Sequence, residues 1–158
     1  MTYQNLVILT GAGISAESGL GTFRDKDGIW TRYDLEDVAT PQGYARNPTL
    51  VHEFYNKRRQ DLVNATPNAA HLALADLQER AKPKSANVMI VTQNVDDLHE
   101  KAGASDIVHM HGELNSALCG NCGWRGHWPV DMEPDTLCLQ CSSRGFIRPD
   151  VVWFGEMP

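Results

Sequence analysis

Cys119, Cys122, Cys138 and Cys141 form two Cys-x-x-Cys pairs separated by fifteen residues, a spacing that lets two tight knuckles converge on one tetrahedral metal ion. Four unrelated buried thiols would not need this pairing. No cysteine is left over, and glycines follow both members of the first pair. A redox Cys-x-x-Cys site uses a single pair at the start of a helix after a strand, whereas both pairs here sit in irregular, glycine-containing sequence. The four cysteines are therefore read as ligands of one zinc ion. With thiolate in every position of the tetrahedron, the ion is structural and cannot activate water or polarise a carbonyl.

A second chemical signal is Gly11-x-Gly13-x-x-Ala16, directly after the apolar run Leu6–Thr10. Small residues at this spacing permit a tight strand-to-helix turn where the backbone can meet a pyrophosphate, although a ligand-free turn has the same composition. In a dehydrogenase the next strand ends at an acidic residue for the adenosine ribose, about twenty residues on. Here the next comparable run is Val88–Thr92, and it ends at Gln93-Asn94. NAD is expected as a ligand, and hydride transfer is not favoured. Ser15 does not read as a hydrolase nucleophile, because Gly13-Ile-Ser15-Ala-Glu17 lacks the second glycine of the nucleophile elbow. Phe23-Arg24-Asp25 reads either as a flap over a phosphate-bearing ligand or as a surface loop.

His109-Met-His111-Gly112 follows a third short strand, at the edge where open α/β sheets place their ligands. One of the two imidazoles is a candidate general base; the alternatives are a His-x-His metal site, unnecessary beside four thiolates, and a hydrogen-bonded structural histidine. His52, His71, His99 and His127 have no comparable context. Tyr55 and Arg58 lie three apart on a helical stretch and share a face. Together they could hold a carboxylate; equally, Lys57, Arg58 and Arg59 could be a solvated helix face.

The elements that must position these groups follow from periodicity. Leu6–Thr10 and Val88–Thr92 read as strands buried on both faces, as in a parallel sheet, and Ile107–Met110 as a third strand. A helix is expected after the glycine turn, a helical pattern over about 23–64 with breaks at Pro41 and Pro48 and a longer amphipathic stretch from Thr49 to Val63, and another helix capped by Thr66-Pro67 and running to Ala81. A further helix after Asp96 ends at Gly103. Residues 112–148 show little periodicity, as in a module held by metal, and Val151–Phe154 is apolar again. Alternating strands and helices predict an α/β fold: a partial Rossmann-like parallel sheet with a helical insertion and a small four-cysteine zinc module hung from its loops. The division expected is residues 1–22, 65–111 and 150–158 for the nucleotide-binding part, 23–64 for a cofactor loop and helical insertion, and 112–149 for the zinc module.

The chain has 158 residues, 42% hydrophobic and 8% aromatic, with a formal net charge of −6. That composition supports a real core. The negative charge and the lack of a Lys/Arg-rich patch argue against nucleic acid as a partner. The polar start and the shortness of Leu6–Leu9 argue against a signal peptide or membrane span. A cytoplasmic protein is expected, where thiols stay reduced and available to metal.

Taken together, the run Gly11–Arg24, Thr92-Gln-Asn-Val-Asp96, His111-Gly112, the paired cysteines and Val151-Val-Trp-Phe-Gly-Glu156 resemble the sirtuins, NAD-dependent protein lysine deacylases. Five ordered motifs carry the resemblance over nearly the whole chain. Tyr55 with Arg58 further resembles the sirtuin branch that removes succinyl and malonyl groups as well as acetyl. The resemblance implies that Gly11, Ala12, Gly13, Ala16, Glu17, Thr22, Phe23, Arg24, Trp30, Gln93, Asn94 and Asp96 surround NAD, which is consumed as a co-substrate, and that His111 accepts a proton. It implies that Tyr55, Arg58, Val152, Trp153, Phe154, Gly155 and Glu156 hold the acyl-lysine segment of a partner protein, the last five by edge-to-edge strand addition. The family continues past this motif with further strands, so the 158-residue chain is expected to be an incomplete copy, poorly active alone. The alternatives are a peptide- or NAD-binding fragment without turnover, and ADP-ribosyl transfer from the same site.

Overall fold

The computed structural model describes residues 4–21 and 33–158. Thr22, Phe23, Arg24 and Trp30, expected around the cofactor, lie outside the described residues. Strand β1 (Asn5–Thr10) leads through Gly11 into the helix expected after the glycine turn, which is a 3-10 helix (Ala12–Ser18). The helices α1 (Leu35–Val38), α2 (Pro41–Arg46), α3 (Pro48–Asn64) and α4 (Ala69–Ala81) follow. Next come β2 (Asn87–Thr92), α5 (Leu98–Lys101), β3 (Ile107–His109), β4 (Gly112–Cys119), β5 (Arg125–His127) and β6 (Ile147–Val151).

Pro41 and Pro48 begin helices rather than break one. Each occupies the first turn, behind Thr40 and Asn47 whose side chains accept from the Gly43 and Leu50 amides, and proline lacks only an N–H that this position leaves unpaired anyway. For α4 the cap is Asn68, not Thr66. Its side chain accepts from the Ala70 amide while His71 Nδ1 accepts from the Asn68 amide, a reciprocal arrangement that satisfies both free donors.

The described residues form two sheets. Parallel β1–β2–β3 has the register Thr10↔Thr92↔His109, which brings Gly11, Gln93 and Met110 to one edge at the carboxyl ends of the strands. The antiparallel sheet has the order β5–β4–β6. Residues 112–148 are thus not irregular throughout. A register shift between Gly112 and Ala117 breaks the alternation that would have exposed β4 in the sequence, and Pro149 is tolerated because β6 is an edge. Gly112 has φ +77, and a Cβ there would lie 2.0 Å from Asp150 O, so only glycine fits this crossing of β4 and β6.

Burial departs from the sequence expectation at β1. Val7 and Leu9 are more than 60% exposed and Leu6 is 41% exposed, because β1 is the sheet's edge and α4 packs on β2 instead. The sheet's own core is Ala75, Ile90 and Ala104. The larger core surrounds α3, where Phe54, Tyr55 and Leu62 meet Leu98, Leu114, Val151 and Trp153. No helix among the described residues is long and apolar enough to cross a membrane.

Candidate functional site

Residues from five separate stretches of sequence converge on a cavity of about 430 Å³. Ala12 and Ser15 come from the glycine turn, Gln93, Asn94 and Asp96 from the loop after β2, and His111 from the turn between β3 and β4. Tyr55 and Arg58 come from α3 and Val152–Glu156 from the segment after β6. A second, open groove of about 600 Å³ runs along the end of β1 and is lined by Gly11, Ala12 and Gly13. Ala12 is on the wall of both. Ala16 and Glu17 are exposed and line neither.

A buried polar chain fixes the loop after β2. Asn94 Nδ2 donates to Ser15 Oγ (3.0 Å), which donates to Asp96 Oδ2 (2.9 Å), and Asp96 Oδ1 accepts from the Leu98 amide (3.2 Å). Thr92 Oγ1 accepts from the Asn94 amide at 3.0 Å. Ser15, dismissed in the sequence as a nucleophile, is thus the link between the glycine turn and the loop. No local spacing announces it, because its partners lie 79 and 81 residues away.

The two histidines of His109-Met-His111 have different fates. His109 Nδ1 donates to Asn94 O (3.1 Å) and Nε2 to Glu100 Oε1 (2.6 Å). Burial would lower its pKa, but the hydrogen bond and charge of Glu100 overcome that and raise it, and His109 is a strut between Asn94 and Glu100. His111 is half-buried, and its Nδ1 lies 3.0 Å from Gln93 O. A carbonyl can only accept, so Nδ1 carries the proton and neutral His111 keeps its Nε2 lone pair for another proton. The His111 carbonyl in turn accepts from the Val152 amide at 2.9 Å.

Of the apolar run Val151–Phe154 only Val151 is in strand β6. Beyond it the Phe154 amide bonds Ala39 O, the Trp153 amide bonds Glu156 Oε2, and the Glu156 amide bonds Trp153 O, turning the segment back at Gly155 (φ +89). Tyr55 and Arg58 share a face as expected, and that face is inside: the Arg58 guanidinium lies 5.9 Å from the Tyr55 ring centroid. Burial lowers the Arg58 pKa, opposed by Tyr55, Asp96 and Asp61.

At the other end of β4 and β6, the four cysteine sulfurs lie within 4.8 Å of one another. Cys119 and Cys141 sulfurs are 3.9 Å apart and Cys122 and Cys138 sulfurs 3.8 Å, close to the edge of about 3.8 Å that four Zn–S bonds of about 2.3 Å give in a tetrahedron. The knuckles match: the Gly123 amide bonds Cys119 O and the Ser142 amide bonds Cys138 O. Hydrogen bonds from Ser143 draw the Cys141 thiol down to about 5. Cys122, in spite of the Trp124 amide, is pushed up to about 12 by burial and its sulfur neighbours. Sulfurs this close cannot all ionise without a cation between them, so the donor set fits a structural zinc ion.

The geometry agrees with relationships to known proteins. The chain is 58% identical over 153 residues to an NAD-dependent protein deacylase of Caulobacter vibrioides, covering 96% of this chain and 63% of that protein. It is 52% identical over 158 residues to one of Bdellovibrio bacteriovorus, covering 99% and 66%. A solved Sir2 homologue–NAD complex superposes with a TM-score of 0.83 at 44% identity, over 98% of this chain and 59% of that one. The chain thus spans about three fifths to two thirds of these relatives' length. With the Sir2 family model matching residues 11–158, and with these relatives behind it, the chain belongs to the Sir2 family.

Proposed function

We propose that the protein removes acyl groups from lysines of other proteins and consumes NAD in doing so, giving free lysine, nicotinamide and O-acyl-ADP-ribose with uptake of one water. The observation that carries this reading is the single cavity that gathers His111, the Ser15–Asn94–Asp96 chain, Tyr55 with Arg58, and Val152–Glu156. NAD would run from the groove at Gly11–Gly13, past Ala12, into the cavity, with its nicotinamide ribose near Asn94 and Asp96. The acyl oxygen attacks the ribose carbon as nicotinamide leaves. His111 Nε2 then takes a proton from a ribose hydroxyl so that the intermediate collapses. Tyr55 and Arg58 would hold the carboxylate of succinyl or malonyl groups, and the 152–156 segment lining the cavity would hold the peptide.

Zinc, held by Cys119, Cys122, Cys138 and Cys141, would brace the module and take no part in the chemistry. The division into nucleotide-binding part (1–22, 65–111, 150–158), helical insertion (23–64) and zinc module (112–149) fits this assignment of roles. A cytoplasmic setting, where thiols remain reduced, suits the four-cysteine site. The test is mass spectrometry of the whole protein with NAD and a succinyl-lysine peptide. Nicotinamide and O-succinyl-ADP-ribose should appear together and fall at least about a hundredfold in His111→Ala. An ADP-ribosylated peptide in place of O-succinyl-ADP-ribose would sink the deacylase reading.

A further inference from the structure

Trp153 Nε1 lies 2.9 Å from Tyr55 Oη. An indole nitrogen can only donate, so the phenol oxygen is the acceptor and its own proton must point elsewhere. Tyr55 is 1% exposed, and its hydroxyl has no other hydrogen-bond partner among the described residues. Burial raises the Tyr55 pKa, against the opposing influence of Arg58 and the indole bond, and so keeps that proton in place. A buried donor without an acceptor is costly, and the side chain lies on the wall of the cavity beside Arg58.

The indole is itself clamped. The partly buried Arg148 guanidinium lies 4.0 Å from the centroid of the Trp153 ring, a cation–π stacking. Arg148 also pairs with Glu156 at 3.0 Å. Glu156 Oε2 accepts from the Trp153 amide at 2.9 Å, so side chain and backbone of Trp153 are tied to one ion pair.

We infer that Trp153, held by Arg148 and Glu156, is a positioning residue that aims the Tyr55 hydroxyl proton into the cavity and thereby makes the site select acyl groups ending in a carboxylate. This rests on the acyl-lysine reading above. An acetyl group ends in a methyl and offers the Tyr55 proton nothing, whereas a succinyl carboxylate accepts from Tyr55 and from Arg58 together.

Trp153→Phe keeps an aromatic ring under Arg148 and removes only the N–H. Calorimetric titration of the whole protein with succinyl-lysine and acetyl-lysine peptides measures the preference between them. That preference should fall about tenfold in Trp153→Phe, the weight of one hydrogen bond to a charged group. In a Tyr55→Phe background the same change should add no further loss. An unchanged preference in Trp153→Phe overturns the inference while leaving deacylation standing; if the unaltered protein binds neither peptide, the acyl-lysine reading falls and the inference with it. Should Trp153→Phe fail to fold by circular dichroism, the indole N–H resonance of the native protein, assigned from its shift in Tyr55→Phe, decides. It should move more with the succinyl than with the acetyl peptide, and equal movement overturns the inference.

Discussion

The two sheets secure the same cavity by different physics. In the parallel sheet, apolar burial is thin: Ala75, Ile90 and Ala104 form its core and β1 shows Val7 and Leu9 to solvent. What holds Asn94 and Asp96 there is a hydrogen-bonded chain through Ser15, with His109 gripping the Asn94 carbonyl from the next strand. In the antiparallel sheet the core is Ala117, Met132 and Ile147 beside two of the cysteines, and the fold converges on four sulfurs. One side of the site therefore depends on buried polar geometry, and the other on a cation. Both meet at His111, which bonds Gln93 on one side and Val152 on the other.

The largest effect should come from removing the metal. Without a cation the four thiols repel ionisation, and free energy of metal binding is free energy of folding for such modules. Chelation, or Cys138→Ser, should unfold residues 112–149, with several kcal/mol lost. Because Gly112 pairs with Val151, the disturbance should reach His111 and the 152–156 segment. Hydrogen exchange checks this: β4 and β6 should lose protection while β2, across the cavity, keeps most of its own. Equal loss in both sheets would show that the two do not stand separately.

The parallel sheet is broken differently. Ile90 is fully buried whereas Leu9 is mostly exposed, so Ile90→Ala should cost about 2–5 kcal/mol and Leu9→Ala less than about 1 kcal/mol, by chemical denaturation. If the two cost the same, β1 is covered in solution.

Much of this was legible in the sequence because it is local. The glycine turn, the Val88–Thr92 strand and the cysteine pairs each declare themselves within a few residues. Burial of β1 was misread, since an apolar run such as Leu6–Leu9 does not say whether it lies at the middle or the edge of a sheet. β4 was missed because its register shift erases alternation. Tyr55 could be placed on a face but not inside, because the Trp153 that covers it is 98 residues away. His71 and His99 carried no signal, yet both are buried, their rings pack 5.0 Å apart, and His99 Nε2 lies 3.0 Å from Thr10 Oγ1 at the end of β1.

Those histidines give the site side its pH dependence. Burial, with Arg59 adding to it, lowers His52 to about 4, and burial lowers His71 and His99, the latter also through His71. Groups whose pKa falls on folding stabilise fully above their unfolded value near 6.5 and lose that contribution as pH drops toward the folded value. His109 is opposite in sign: its pairing with Glu100 stabilises below about 6.5 and is lost as pH rises through its raised folded pKa. Pairing of His109 adds nothing further below about 6.5, so stability should decline from pH 7 to pH 5, with His52 alone accounting for about 2 kcal/mol of the loss. Thermal unfolding across that range checks it. A His52→Gln variant should flatten the slope, and a slope unchanged by it would remove His52 from the account.

The smallest effect separates the two knuckles of the metal module. Gly123 (φ 74) and Ser142 (φ 59) occupy equivalent positions, four residues past Cys119 and Cys138, and both are left-handed. That conformation costs a side-chain-bearing residue about 1–2 kcal/mol, whereas glycine's greater freedom in the unfolded chain offsets about 0.5–1 kcal/mol. Ser142→Gly should therefore stabilise the metal-bound module by about 0.5 kcal/mol. Gly123→Ala should destabilise it by about 1 kcal/mol through the backbone alone, because nothing lies within 4 Å of a Cβ built there. Competition with a chromophoric zinc chelator reads both as opposite shifts in metal affinity. Shifts of the same sign would mean that the Ser142 side chain, not its backbone angle, governs the second knuckle.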